Sequence, residues 1–168
     1  MTTENRAFWY INGEPCTGKW IDMDIIDDTG EVLSELAEAK IIPTNEDGEP
    51  EYGGDLLVAD AEGLAKEFTG SHGCFEFTEF VECRDHTADD EAKAAYMAIY
   101  SDWDSDRFDE SYCGEWSSDR DFAESYIEDT GMLADMSDSL SMYFDYDSFA
   151  RDFMMDHGED NGHYFRSY

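Results

Sequence analysis

Positive charge is what this sequence has least of: ten Lys and Arg in 168 residues, against 43 Asp and Glu. Phosphate contacts need clustered Lys and Arg, so direct binding to nucleic acid is excluded. An anionic membrane surface would repel such a chain for the same reason. No apolar run approaches the roughly 18 residues of a transmembrane helix. The opening MTTENRAFWY has no basic region leading into an apolar stretch, so no signal peptide is expected. Four Cys, at positions 16, 74, 83 and 113, are too scattered for a disulfide framework and read as reduced thiols in a cytosol. There is no internal repeat, phosphate-cradling Gly-rich loop, G-x-S-x-G elbow or H-E-x-x-H. With no enzyme template matched, neither catalysis nor a cofactor is expected.

What is present is acid and aromatic residues together. The formal net charge is −33, while 41 % of residues are hydrophobic and 15 % aromatic. Disordered acidic tails lack bulky apolar residues, so this chain should fold. Residues 1–50 carry 12 acids and 3 bases, residues 51–100 the same, and residues 101–168 carry 19 and 4. Charge threaded through the folded part destabilises a compact state by self-repulsion and needs an explanation. Three suffice: imitation of a polyanion, adaptation to high salt, or an array of cation sites.

Local patterning predicts an α+β chain. Ala7–Ile11 reads as a strand, Pro15 and Gly18 as a turn, and Trp20–Ile25 as a half-buried strand with Asp22 and Asp24 on its polar face. Glu31–Ala39 has helical spacing, Pro43 to Gly54 reads as a loop, and Leu56–Ala59 as a short strand. In the middle, Phe77, Phe80, Val81 and Arg84 fit a helix. Thr87 with Asp90 resembles a capping box for the next one, which carries Ala92, Tyr96, Ile99 and Trp103 on one side. Ser118 should cap a helix stopped by Gly131, and Asp145 or Asp147 another stopped by Gly158. Met142–Phe144 and His163–Phe165 are strand candidates. Three small α+β units result: 1–62, β-rich; 63–103, mainly helical; 104–168, α+β with the densest acidic surface.

The metal-like clusters read as ordinary surface and core. Asp102, Asp104 and Asp106 open like a calcium loop, but its sixth and twelfth positions are Arg107 and Cys113 instead of Gly and Glu. His72, Cys74, Cys83 and His86 have zinc-ligand types at a spacing unlike the common frameworks. Asp156, His157, Glu159, Asp160 and His163 read as a solvated loop, with turns at Gly158 and Gly162. No metal is expected.

The carboxylates remain the signal. They recur on the polar sides of elements that also have apolar faces: Asp102, Asp104, Asp106, Asp109, Glu110, Glu115, Asp119, Asp121, Glu124, Glu128 and Asp129 fall within 28 positions. B-DNA carries one charge per ~1.7 Å of axis, so 33 net charges correspond to roughly 55 Å of duplex, about 16 base pairs. Together with Asp22 and Asp24, these residues could replace phosphates in a DNA-binding groove.

The segments DRFDESYCG, EWSSDRDFAESYIEDTGML, YFDYDSFARD and GHYF, with AFWYINGEPCTGKWIDMD and LLVADAEG nearer the start, resemble the ArdA-type antirestriction proteins. The resemblance covers most of the chain and is weakest over residues 64–101. It implies an elongated acidic homodimer of three units that resembles bent B-form DNA. It also implies a partner, the methyltransferase core of a host Type I restriction–modification enzyme, met in the host cytoplasm, and a source in a phage, plasmid or transposon. Tyr143 and Tyr146 lie in the part that resembles the family's contact region and are the expected dimer-interface residues. Two other readings share the composition: a mimic aimed at RNA polymerase, a nucleoid protein or another defence complex, and a halophile's soluble domain whose acids serve hydration.

Overall fold

The computed structural model describes residues 4–137 and 142–167. The fold is α+β, with two separate three-stranded antiparallel sheets and their helices. Its contacts divide it into two compact units, Met1–Asp90 with Asp102–Asp104, and Glu91–Ser101 with Ser105–Tyr168. Residues on either side of the junction expected at Glu62 lie together in the first unit.

In the first unit, β1 (Arg6–Ile11) is the central strand between β2 (Glu14–Asp22) and β3 (Leu56–Glu62). Alternation along β1 sends Ala7 and Trp9 inward, where Ile21 and Val58 of the flanking strands join them in the core. The first hairpin turns at Asn12–Gly13, with Gly13 at φ +91°, and Pro15 and Gly18 lie inside β2. The turn expected at Pro15 and Gly18 is therefore displaced. Gly18 serves packing instead: a Cβ there would lie 2.7 Å from the Phe8 ring and 2.4 Å from the Trp9 carbonyl.

The strand expected to continue to Ile25 stops at Asp22, because residues Met23–Ile25 coil into a 3-10 turn. Asp22 Oδ1 accepts the Asp24 amide at 3.0 Å, and Ile25 is left exposed. Helix α1 (Thr29–Glu38) is capped by Asp28, which accepts the Glu31 amide at 3.0 Å, and it buries Val32 and Leu36. Helix α2 (Phe77–Asp85) buries Phe80 and Cys83. Its Arg84 donates to the carbonyls of Met23 at 3.3 Å and Ile26 at 3.0 Å and pairs with Asp27 at 2.7 Å, fastening the segment after β2 to the helix.

Helix α3 (Asp90–Tyr100) begins three residues after Thr87, too late for Thr87 to sit at its cap, and ends before Trp103. In the second unit follow α4 (Ser105–Ser111), β4 (Tyr112–Glu115), α5 (Asp119–Thr130), α6 (Tyr146–Phe153), β5 (His157–Asp160) and β6 (His163–Arg166). The expected caps are present. Ser118 accepts the Asp121 amide, Gly131 ends α5 at φ +63°, and Asp145, of the two candidates, accepts the Ser148 amide at 3.0 Å.

Strand β6 is central in the order β4-β6-β5 and buries His163, Tyr164 and Phe165 in succession. Tyr164 meets Phe122 of α5 at 4.9 Å between ring centroids, while Phe165, on the other face, meets Tyr96 of α3 at 5.6 Å and Phe108 of α4 at 5.7 Å. Helices thus cover both faces of this small sheet.

Three sequence expectations change here. The stretch Asp156–His163, read as a solvated loop, is a hairpin closed by Asn161 (φ +50°) and Gly162 (φ +84°), the two-residue turn whose twist matches the strands. Gly158 does not stop α6, which gives way to a 3-10 turn at Met154–Asp156. It lies in β5, where a Cβ would press within 3.0 Å of Ile99. Met142–Phe144, expected to be extended, contains a turn at Met142 and Tyr143 and forms no strand.

Candidate interaction surface

The placement of the carboxylates follows from the cost of burying charge. Among the described residues no Asp or Glu is buried, and only Glu35, Glu79, Asp104, Glu124 and Asp160 are even half-covered. Burying their neighbours holds the backbone in place, so each element presents its acids from a fixed frame.

Of the residues expected to imitate phosphates, Asp22, Asp24, Asp102 and Asp104 belong to the first unit. Asp24 accepts from Asn5 Nδ2 at 2.7 Å. The others belong to the second. Asp106, Asp109 and Glu110 sit on α4, Glu115 at the end of β4, and Asp119, Asp121, Glu124, Glu128 and Asp129 along α5. All thirteen are exposed except the half-buried Asp104 and Glu124.

On α5 three carboxylates, Asp119, Asp121 and Glu124, are held by partners, Asp121 by the Ser117 hydroxyl. Arg120 pairs with Glu124 at 2.6 Å and with Asp147 at 3.1 Å, and its guanidinium lies 5.6 Å from the Tyr146 ring. The Tyr164 hydroxyl donates to Asp119 at 2.9 Å. Burial, with Asp119 beside it, pushes the Tyr164 phenol well above its ordinary value. Amide and hydroxyl bonds from Ser148 hold Asp145 below the usual carboxylate range, and Arg6, 2.7 Å away, does the same for Glu62.

Tyr143 is 85 % exposed, whereas Tyr146 is half-buried against Phe144 at 4.9 Å. The four zinc-type residues do not converge. Cys83 is in the core, Cys74 and His72 are exposed, and His86 packs on Trp103 at 5.4 Å. Among the described residues no three His, Cys, Asp or Glu side chains are grouped to hold a metal ion, and no helix is long and apolar enough to cross a membrane.

One feature of the first unit has no counterpart in the sequence reading. An open cleft of about 910 Å³ is lined by Trp9, Tyr52, Phe75 and Phe77 together with Asp55 and His72. These residues come from β1, the loop before β3, the approach to α2 and the first residue of α2, so no local pattern announces them. The one local hint is the loop's Tyr52-Gly-Gly-Asp55, where two glycines separate an aromatic from an acid.

Carboxylates kept out of the core, on helices and strands that bury aromatic residues, give the folded scaffold its exposed acids. Residues 9–165 match the model of the antirestriction protein (ArdA) family. The chain belongs to that family, whose members are inhibitors of restriction, and its partners are accordingly restriction–modification enzymes. No curated protein matches the sequence.

Proposed function

We propose that the protein is a DNA mimic that occupies the DNA-binding groove of a host Type I restriction–modification enzyme, on its methyltransferase core, and blocks restriction without catalysis. The observation that carries this reading is that every described carboxylate stays out of the core in a chain of net charge −33. Carboxylates fixed on folded elements offer a basic groove negative charge in place of a duplex's phosphates. The protein acts as a homodimer in the host cytoplasm and derives from a phage, plasmid or transposon.

The test is competition. Purified protein is titrated against a Type I methyltransferase core bound to fluorescent duplex. Displacement should follow simple competition, and the inhibitor's affinity should fall steeply as salt rises. Inhibition that leaves the duplex bound would sink the mimicry reading.

A further inference from the structure

Diffuse charge alone is a weak anchor. Exposed ion pairs contribute at most ~1 kcal/mol each, and interfaces usually gain most of their affinity from a few desolvated aromatic and Arg contacts. The cleft of the first unit has the makings of such a contact. Trp9, only 2 % exposed, forms its floor. Phe77 stacks on the indole at 5.6 Å and 17°, and Phe75 leans against it at 5.5 Å.

Tyr52 folds over Gly54, where a Cβ would come within 2.5 Å of its phenol oxygen, and its hydroxyl donates to the Asp55 carbonyl at 3.4 Å. The lip at His72 is held in a left-handed conformation, φ +65°, and the next residue, Gly73, approaches β3 so closely that a Cβ would lie 2.8 Å from the Val58 carbonyl. The cleft is therefore built before any ligand arrives. Its charged lining residue is Asp55, and no Lys or Arg lines it.

Aromatic faces attract cations, and a flat guanidinium can stack on a ring while pairing with a carboxylate. The chain already makes this arrangement within itself: the Arg6 guanidinium lies 5.0 Å from the Trp20 ring and pairs with Glu62 at 2.7 Å, and Arg120 lies 5.6 Å from the Tyr146 ring and pairs with Glu124 at 2.6 Å. We infer that the cleft receives an arginine side chain of the restriction–modification partner, its guanidinium against the half-buried rings of Tyr52, Phe75 and Phe77 and paired with Asp55. The inference rests on the proposed binding to that enzyme. It adds an anchor that governs dissociation to a charged surface that governs encounter.

The full chain is titrated with N-acetyl-arginine amide and with its uncharged isostere N-acetyl-citrulline amide, followed by NMR at ~150 mM salt, where loose association with surface charge is screened. Saturable shifts are expected at the Trp9 indole N–H and the Phe75 and Phe77 rings, with citrulline binding roughly tenfold weaker. Asp55→Asn, at an exposed position, should weaken arginine to a similar degree without lowering the melting temperature. Equal binding of citrulline, or arginine shifts that spread over the surface without saturating at the cleft, would overturn the assignment.

In a second arm, Cys74→Trp, which fills the cleft from an exposed position, should speed dissociation from the methyltransferase core about tenfold while leaving the salt dependence unchanged. An unaltered dissociation rate overturns the anchor. If the wild-type chain fails to bind that enzyme, the proposed function falls, and the arginine titration still decides the cleft.

Discussion

Single side chains in this protein act mainly by fixing where a charge sits. Tyr164 is 2 % exposed and spends its hydroxyl on Asp119, tying the first residue of α5 to the central strand of the second sheet. Removing the hydroxyl in Tyr164→Phe keeps the ring against Phe122 and should cost about 1 kcal/mol, the usual worth of one such bond. The same pair makes stability depend on pH. The phenol's value is raised in the folded state, so the unfolded chain loses this proton first as pH rises. The contribution is complete below about pH 10, the ordinary tyrosine value, and declines above it. Urea unfolding at pH 9 and pH 11 should show wild type losing more stability over that interval than Tyr164→Phe. Equal losses would mean that this hydroxyl is not the group responsible. Asp145 has the opposite sign: its lowered value gives stability above the ordinary Asp range that is lost on acidification.

At the level of elements, the β5–β6 hairpin is the most exacting piece of the second unit. Its turn needs two residues with positive φ, and Asn161 and Gly162 supply them. At Gly162 a Cβ would also lie 3.2 Å from the Trp116 carbonyl, and the Trp116 amide donates to the Gly162 carbonyl at 2.9 Å. Gly162→Ala should therefore cost about 1–2 kcal/mol, the penalty of a side chain in the left-handed region. Chemical denaturation measures it, and the loss should appear as a lower midpoint with an unchanged slope. Because β6 is covered by helices on both faces, loosening this turn should also reduce amide-exchange protection along β4 and β6. A change confined to the turn would show that the strands hold their register without it.

For the whole molecule the issue is how so many charges act together. Neutralising Asp104 to Asn should leave inhibition nearly intact, since one surface charge among so many contributes at most ~1 kcal/mol. Replacing Asp102, Asp104, Asp106, Asp109 and Glu110 by their amides together should weaken inhibition clearly and flatten its salt dependence, with the fold retained as repulsion is relieved. An abrupt loss from one neutral substitution in a folded variant would point instead to a discrete site. The homodimer is tested by sedimentation of Tyr143→Asp with Tyr146→Asp. A charge placed on each should shift the equilibrium toward monomer if these rings seal the two-fold contact. A dimer that survives both changes is carried by another surface. Tyr146, already partly engaged with Phe144 and Arg120, should contribute less than the exposed Tyr143.

The sequence by itself determined what depends on near neighbours. Ser118 and Asp145 cap helices because a side-chain oxygen three residues ahead of a free amide can reach it in any context. Gly131 ends α5 because it tolerates a left-handed residue, and the strand at His163–Phe165 follows from a run of bulky residues. The carboxylates' outward placement was equally legible, since no partner in a core this apolar repays burying them. The tertiary structure decided what depends on distant partners. Asp156–His163 looked like a solvated loop because its polarity outweighed the Asn-Gly turn signal. It becomes a hairpin because β4 and two layers of helix give β6 something to pair with and bury against. Gly18 and Gly158 read as breakers, yet each sits within a strand where another group approaches too closely for a Cβ. The cleft unites residue 9 with residues 52–55 and 72–77, which share no local period and meet only once β1, β3 and the approach to α2 have assembled.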